Sequence, residues 1–392
     1  MGTAAAPPVR AARIRAFAWW PLVCVQVAAA LLLAGWASDS ALGRAVAVPA
    51  AVLLVSAAVL RYGGRSLPAR LEAARALRRR RSRAAGPPAP GSDPLLAFAS
   101  ECAPGLRSYS FAGRERRDVG MAGDGSTLTA VVRVESVGRP LPPGPGAGSL
   151  PLRLLREALD TDGIRLESVQ AVQHTRPGSP SAGGGGPVLR LTWVALRLDP
   201  ELCVAAVRAR GGGLEGAQRC LTRAADQLAS RLNGAGFSAS VLSETELLSA
   251  VAACAGSDPA ITTLVGRGNG PRSRRTAESA RSWRCDDRLH TVYRITRWPA
   301  LGGGARPLHS LIALLTAPPA FAVTFSLTLR RAGRGSVALD GRVRVTGLGE
   351  PELRTARKAL VRAARTAGLG LSPMDREQLT GVLTTLPLGG VR

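Results

Sequence analysis

The N-terminal part of the chain carries two long apolar stretches. Residues 16–38 contain no charged side chain, and residues 42–60 contain only Arg44. A helix needs about 20 apolar residues to cross a bilayer, because each residue adds about 1.5 Å against about 30 Å of hydrocarbon. The pattern therefore predicts two transmembrane helices, at residues 16–38 and 42–60.

Aromatic and basic residues predict the orientation of these helices. Trp19, Trp20 and Trp36 lie at the ends of the first stretch, where amphipathic rings favour the membrane–water interface. Arginines precede the first stretch and form a dense run, Arg78, Arg79, Arg80 and Arg81, beyond the second. The positive-inside rule then predicts a multi-pass protein of the bacterial inner (cell) membrane with both termini in the cytoplasm. A cleaved signal peptide ending near Ala37 is the alternative.

Downstream, the hydrophobic pattern predicts two similar α+β units. A strand, the turn Asp124-Gly125 and an alternating strand predict a hairpin, and a comparable hairpin turns at Asp286-Asp287. Each hairpin is followed by a short helix, two strands and a long amphipathic helix, Glu215–Asn233 or Pro351–Ala367. Ser243 and Ser372 are the expected N-caps of the helices that end the two units.

The expected fold class is therefore α+β, with two N-terminal transmembrane helices followed by a cytoplasmic part made of two similar β-β-α-β-β-α-like units. The expected divisions are a cytoplasmic tail 1–15, transmembrane helices 16–38 and 42–60, a basic juxtamembrane helical segment 61–85, a Pro/Gly linker 86–97, a first unit 98–255, a Gly/Arg-rich boundary 256–275 and a second unit 276–392.

The composition indicates which kinds of molecule the protein is expected to bind. The formal net charge is +25, and Lys358 is the single lysine, so arginine carries nearly all of the positive charge. Arg78–Arg81 beside a bilayer would attract anionic lipid headgroups at about 1 kcal/mol per residue. We expect no specific nucleic acid partner. The six cysteines include no C-x-x-C pair, which favours free thiols in a reducing compartment.

Catalytic signatures are missing from the sequence. His174, His290 and His309 have no metal-ligand spacing, and Asp160 and Asp162 precede a glycine in what is predicted to be a turn. No phosphate-binding loop, nucleophile elbow or kinase signature is present. We therefore expect no catalytic, cofactor-binding or metal-binding residue, no cofactor and no small-molecule substrate.

The most distinctive stretch is 278–299, which contains Trp283, Arg284 and Trp298 within a predicted hairpin. Tryptophan and arginine are the side chains that most often anchor interfaces. These residues, together with Trp19, Trp20, Trp36 and Arg78–Arg81, are the candidate membrane or interface residues. The competing interpretation is that Trp283 fills a core while the arginines remain outside.

Two phrases carry a resemblance to a known family. Val119–Gly125 is similar to a V-G-x-x-x-D-G phrase, and Glu278, Arg281-Ser282-Trp283, His290 and Trp298-Pro299 are similar to an E-x-W-R-S-W-type phrase whose following strand ends in W-P. Ala280 stands where the family usually has the first of these tryptophans. The chain thereby resembles EccE, the membrane component of actinobacterial type VII (ESX) secretion systems.

The resemblance implies a non-enzymatic structural and assembly subunit at the periphery of an inner-membrane secretion complex. Its partners would be EccB-, EccC- and EccD-like subunits, of which the EccC-like ATPase supplies the energy. Two alternatives stay open from the residues alone. One is a membrane-tethered regulator that binds anionic lipid or nucleic acid through the arginine-rich segment, and the other is a membrane-tethered α+β enzyme.

Overall fold

The computed structural model describes residues 20–37, 40–59, 61–62, 65–84, 93–112, 118–136, 151–177, 188–268, 274–299, 307–333 and 336–390. The chain divides into two units, an N-terminal unit, Met1–Ala76, and a main unit, Leu77–Arg392. The tail 1–15, Trp19, the side chain of Trp20 and most of the 86–97 linker lie outside the described part of the chain.

The N-terminal unit is built on two helices, α1 (Trp20–Ala37) and α2 (Ala41–Val59), followed by the short strands β1 (Arg61–Tyr62) and β2 (Arg65–Ser66). Small side chains allow the helices to pack closely. Cys24, Ala28 and Ala51 are buried, and a Cβ added at Gly35 would lie 2.5 Å from the Cβ of Ala47.

The expectation of two transmembrane helices is wrong for the described residues. No helix among them combines the length and the apolar character that crossing a bilayer requires. Helix α1 has 18 residues and therefore spans about 27 Å at about 1.5 Å per residue, while α2 carries Arg44 in its first turn and Pro49 in its interior. The multi-pass topology inferred from these helices is therefore unsupported.

Helix α3 (Leu67–Ala84) crosses the division between the units, and the main unit contains the remaining elements. Its helices are α4 (Ala97–Cys102), α5 (Leu152–Glu157), α6 (Val204–Arg208), α7 (Gly213–Gly234), α8 (Glu244–Ala255), α9 (Pro259–Gly266), α10 (Leu308–Thr316), α11 (Glu350–Thr366) and α12 (Gln378–Leu383). Its strands are β3 (Arg107–Ala112), β4 (Asp118–Gly123), β5 (Leu128–Ser136), β6 (Asp160–Thr161), β7 (Ile164–Arg165), β8 (Ser168–Arg176), β9 (Leu189–Leu198), β10 (Phe237–Val241), β11 (Thr276–Glu278), β12 (Trp283–Cys285), β13 (Arg288–Arg297), β14 (Ala322–Arg331), β15 (Val337–Gly347) and β16 (Gly370–Pro373).

A 12-stranded antiparallel sheet organises the main unit. Its strand order is β11-β12-β13-β15-β14-β8-β9-β5-β4-β3, with β10 paired to β5 and β16 paired to β13. The central pair, β8 and β14, is antiparallel and sets Val172 opposite Ser326. The strands follow the same pattern when the order is taken from either end of the sheet, as two copies of one unit would produce. The division into two similar units stays a prediction.

Helices cover both faces of this sheet. On one face α7 and α11 bury apolar residues at helical spacing, including Leu221, Leu228 and Leu360, against the strands. The sequence-predicted helices at 215–233 and 351–367 are confirmed by α7 and α11. On the other face, α4, α8 and α12 form a second core with Trp193 and Trp283.

The V-G-x-x-x-D-G phrase has a structural explanation. A Cβ at Gly120 would lie 2.5 Å from the backbone of Ser243 and Glu244, where α8 begins, so only glycine permits this approach. Asp124 accepts hydrogen bonds from the backbone N–H groups of Ser126 (3.1 Å) and Thr127 (2.9 Å) and closes the turn before β5. Burial raises the pKa of Asp124, but hydrogen bonds from Ser126 and Thr127 outweigh it and lower the pKa to about 2.

Of the two N-caps predicted from the sequence, one is present in the structure and the other is not. Ser243 caps α8 through a capping box with Glu246, as the sequence predicts. Ser372 instead lies in β16, and α12 begins only at Gln378, so the expected cap at Ser372 is wrong. The intervening residues form a turn in which Arg376 adopts a φ of 65°, so the chain cannot enter the helix directly.

We predict that Gly120→Ala lowers the free energy of unfolding by about 1–3 kcal/mol, because the added methyl group must displace backbone atoms at the start of α8. Urea unfolding of the full chain measures this. Gly234→Ala is the matched control, since a Cβ there meets nothing within 4 Å. Equal stability of both variants would contradict the close approach at Gly120.

Candidate functional site

The arginine-rich end of α3 is fastened to β11, the strand at one end of the sheet. Arg80 Nε lies 2.8 Å from Oε2 of Glu278, and its Nη2 lies 3.0 Å from Oε1, a bidentate pair. Arg80 Nη2 also donates to the carbonyl oxygen of Arg376 at 2.8 Å. We call this region, formed by Arg78–Arg81, β11 and β12, the basic corner.

Glu278 is the acceptor at the centre of the basic corner. Its side chain is only 6% exposed, and Oε1 also accepts a hydrogen bond from the backbone N–H of Leu379 at 3.0 Å. Arg81 Nε donates to the carbonyl oxygen of Glu278 at 3.0 Å. One buried carboxylate thus positions the end of a helix against a strand by charge-assisted hydrogen bonds.

Several sequence-predicted site residues belong to the elements of the basic corner. Arg78 and Arg79 are exposed on α3, and neither has an acidic partner among the described residues. Arg284 lies on β12 opposite Ala277 of β11, and its Nη1 donates to the carbonyl oxygen of Asp286 at 2.8 Å. The corner therefore presents more positive charge than Glu278 neutralises.

The tryptophans do not join these arginines as exposed anchors. Trp283 is 2% exposed, and its ring centroid lies 5.1 Å from that of His290, so an exposed interface role does not fit it. Trp298 is half-buried and packs over Gly341, where any side chain would collide with its ring. Trp36 is 82% exposed, but it belongs to the N-terminal unit.

A buried ion pair beside the corner was not anticipated from the sequence. Arg275 Nε and Nη2 lie 2.9 and 2.8 Å from the carboxylate oxygens of Asp286, and Nη2 also donates to Ser257 Oγ at 2.6 Å. Burial by itself lowers the pKa of Arg275, but the hydrogen bonds and charge of Asp286 raise it overall. The left-handed φ of 52° at Asp286 fixes this geometry, and only the Asp-Asp turn hinted at it.

A second set of buried polar groups lies at the middle of the sheet. Arg344 is 0% exposed, and its Nη2 donates to the carbonyl oxygen of Cys254 and to Thr324 Oγ1 at 3.2 Å. Burial lowers the pKa of Arg344. Among the described residues no carboxylate pairs with Arg344, and the carbonyl oxygen of Cys254, in the last turn of α8, supplies negative potential. The Nε and Nη1 atoms of Arg344 are buried without a hydrogen-bond partner among those residues.

Both buried histidines belong to this set. Nδ1 of His174 lies 2.9 Å from Thr324 Oγ1, and Nδ1 of His290 lies 3.0 Å from Thr346 Oγ1. Burial and the charge of Arg344 lower the pKa of His174 to about 3 and the pKa of His290 well below its ordinary value. Both rings are therefore neutral at pH 7 and act as packed hydrogen-bonding groups.

The thiols are similarly protected. Burial raises the pKa of Cys102 to about 12 and also raises the pKa of Cys254 and Cys285. A thiol with a raised pKa carries little thiolate and is a poor nucleophile. In the described part of the chain, no three His, Cys, Asp or Glu side chains are grouped to hold a metal ion.

Residues 187–295 match the family described as "Putative type VII ESX secretion system translocon, EccE". The resemblance expected from the sequence is thereby confirmed over this segment, and the match supports a component of a type VII secretion system. The segment runs from the residues before β9 into β13 and includes Glu278, Trp283 and His290. No curated protein matches the chain.

We predict that Glu278→Gln loosens the end of α3, because Arg80 loses its charged acceptor and Leu379 keeps only a neutral one. Hydrogen exchange of backbone amides in residues 77–84 should accelerate at least about tenfold, which corresponds to about 1.4 kcal/mol. Glu350→Gln, an exposed acid at the start of α11, is the control. Unchanged exchange at 77–84 in Glu278→Gln would contradict the fastening.

We also predict that stability falls as the pH drops below about 6.5, because the unfolded chain then binds protons that His174 and His290 cannot bind in the fold. Each histidine contributes up to about 1.4 kcal/mol per pH unit. Urea unfolding at pH 7, 6 and 5 should show this slope, reduced in His174→Gln. Gln170→Leu, which changes a buried non-titrating residue on β8, should lower stability but keep the dependence of the free energy of unfolding on pH. An unchanged pH dependence in His174→Gln would contradict the prediction.

Proposed function

We propose that this protein is a non-enzymatic structural and assembly subunit at the periphery of a type VII (ESX-type) secretion complex. The EccE family match over residues 187–295 supports the secretion system. The buried, neutral histidines and protonated thiols support a structural role, because these groups are engaged in packing rather than presented in a cleft. An EccC-like ATPase would supply the energy of transport.

The observation that carries the assembly role is the basic corner. Glu278 holds Arg80 and Arg81 in place and thereby fixes the last turns of α3, so that Arg78 and Arg79 project from a rigid support. Charges held in a fixed geometry lose less conformational entropy on binding than charges on a flexible tail. The corner therefore fits an acidic surface on a neighbouring EccB-, EccC- or EccD-like subunit.

Anionic lipid headgroups are the second candidate partner of the same arginines. The exposure of Arg78 and Arg79 and the net charge of +25 favour it. Clustered arginines near an anionic surface each contribute about 1 kcal/mol. The two candidates differ in their readouts, because lipid binding needs no other protein, whereas docking requires an acidic partner subunit.

We predict that affinity purification of the full chain from native membranes recovers a secretion ATPase and multi-span subunits in fixed proportion. The double substitution Arg78→Glu, Arg79→Glu should reduce this recovery at least about tenfold, because it reverses the charge that meets the acidic partner. The matched control is Arg354→Glu, Arg362→Glu, which makes the same charge change on the exposed face of α11.

Three outcomes are distinguishable. Loss of partners only in the variant at Arg78 and Arg79 supports docking through the basic corner. Sedimentation of the purified protein with phosphatidylglycerol vesicles but not phosphatidylcholine vesicles, together with unchanged partner recovery, supports the lipid candidate. Recovery of the wild-type chain alone, without stoichiometric partners, would overturn the assembly role.

A further inference from the structure

The two ends of the large sheet are treated differently. At one end β11 has only three residues, Thr276–Glu278, and side chains satisfy its outward backbone groups. Glu101 Oε2 accepts the N–H of Thr276 at 2.9 Å, and Arg81 Nε donates to the carbonyl oxygen of Glu278 at 3.0 Å. This end is closed to further strands by the side chains that cover it.

The other end is strand β3, which is six residues long, Arg107–Ala112. It pairs with β4 along its whole length and is the last strand in the order. Within the described ranges, no backbone or side-chain group bonds to its outer edge. A strand of this length with unpaired backbone groups is a template for a further strand.

A cleft adjoins this open edge. It has a volume of about 400 Å³ and is lined by Tyr109 of β3, Leu128 of β5, Val204 and Val207 of α6, and Leu214 of α7. Val204 is 43% exposed and Leu214 is 53% exposed, so the cleft leaves apolar surface in water. Tyr109 and Phe111 pack on the same core as α7, so the cleft lies on that face of the sheet. Every second side chain of a strand added beside β3 would point to the same face.

The charge around β3 and the cleft indicates what kind of segment would bind there. Arg107 begins β3, and the cleft is lined by Arg208 and by one acid, Glu201. Neither arginine has an acidic partner in the ranges that the structure describes, so the balance of charge along the edge and the cleft is positive. The chain as a whole carries +25, so a second copy of it would be repelled and an acidic segment attracted. Strand addition supplies affinity through the main chain, while pockets for alternate side chains supply specificity.

We propose that β3 and the adjoining cleft bind an extended, acidic segment of a partner protein, which adds to the sheet as a strand and buries an apolar side chain against Tyr109, Val204 and Leu214. This surface lies at the opposite end of the strand order from the basic corner. It provides a second contact that is independent of Arg78 and Arg79.

The test uses a fluorescein-labelled peptide in which glutamate alternates with valine or phenylalanine, measured by fluorescence polarisation on the full chain. Binding should disappear when every second amide of the peptide is N-methylated, because methylation removes the donors that pair strands. Ser110→Glu, at an exposed position of β3, and Leu214→Glu should each weaken binding at least about tenfold, because they repel an acidic strand.

Control variants distinguish a loss of binding at this surface from a loss of folding. Ser110→Gln should bind the peptide as the wild type does, and Leu348→Glu makes the same change as Leu214→Glu at a residue of nearly equal exposure, 54%. Arg78→Glu, Arg79→Glu should also leave peptide binding unchanged, so failure here is distinct from failure of the proposed function. Equal binding of the N-methylated peptide, no binding at about 1 mM peptide, or a β3-dependent dimer of the chain would overturn the proposal.

Discussion

The antiparallel ladder between β8 and β14 is the interaction on which the main unit depends. It runs from Thr175 opposite Val323 to Ser168 opposite Arg330 and turns two groups of strands into one sheet. Because the sheet is continuous, the helices on each face share a core that crosses the centre, with Val169 and Phe325 on one face and Val172 on the other. Separating the two groups would expose both cores at once, so we expect the two groups of strands to unfold together.

The centre of this sheet contains more than apolar side chains. Thr324 of β14 contacts both His174 of β8 and Arg344 of β15, so the hydroxyl group connects three strands. The buried guanidinium of Arg344 lies against the carbonyl oxygen of Cys254 in the last turn of α8, which contributes negative potential. The position of α8 is in turn set by the contact of its first turn with Gly120. The same helix is thus constrained at both ends, by close backbone packing at one and by electrostatics at the other.

Local signals in the sequence predicted local structure well. The amphipathic spacing of Leu221, Leu228 and Leu232 predicted α7, and Ser243 was the expected cap of α8. Long-range partners could not be read in the same way. Nothing in the run Arg78–Arg81 indicates that Glu278, 198 positions further along the chain, holds Arg80. Similarly, Asp258 caps the helix α9 within a segment whose glycines suggested only a boundary. Apolar composition also misled at the N-terminus, because no helix among the described residues is long and apolar enough to cross a bilayer.

The unequal ends of the sheet connect these observations to function. Closing an edge requires side chains dedicated to backbone groups, and at β11 both Glu101 and Arg81 serve this purpose. Arg81 belongs to the helix that carries the exposed arginines, so the contact that closes this edge is also the contact that positions Arg78 and Arg79. No comparable side chain covers β3 within the described ranges, although a six-residue strand is more prone to unwanted pairing than a three-residue one. An edge left open beside an apolar cleft is a liability in a free protein, and the proposed addition of a partner's strand would remove it.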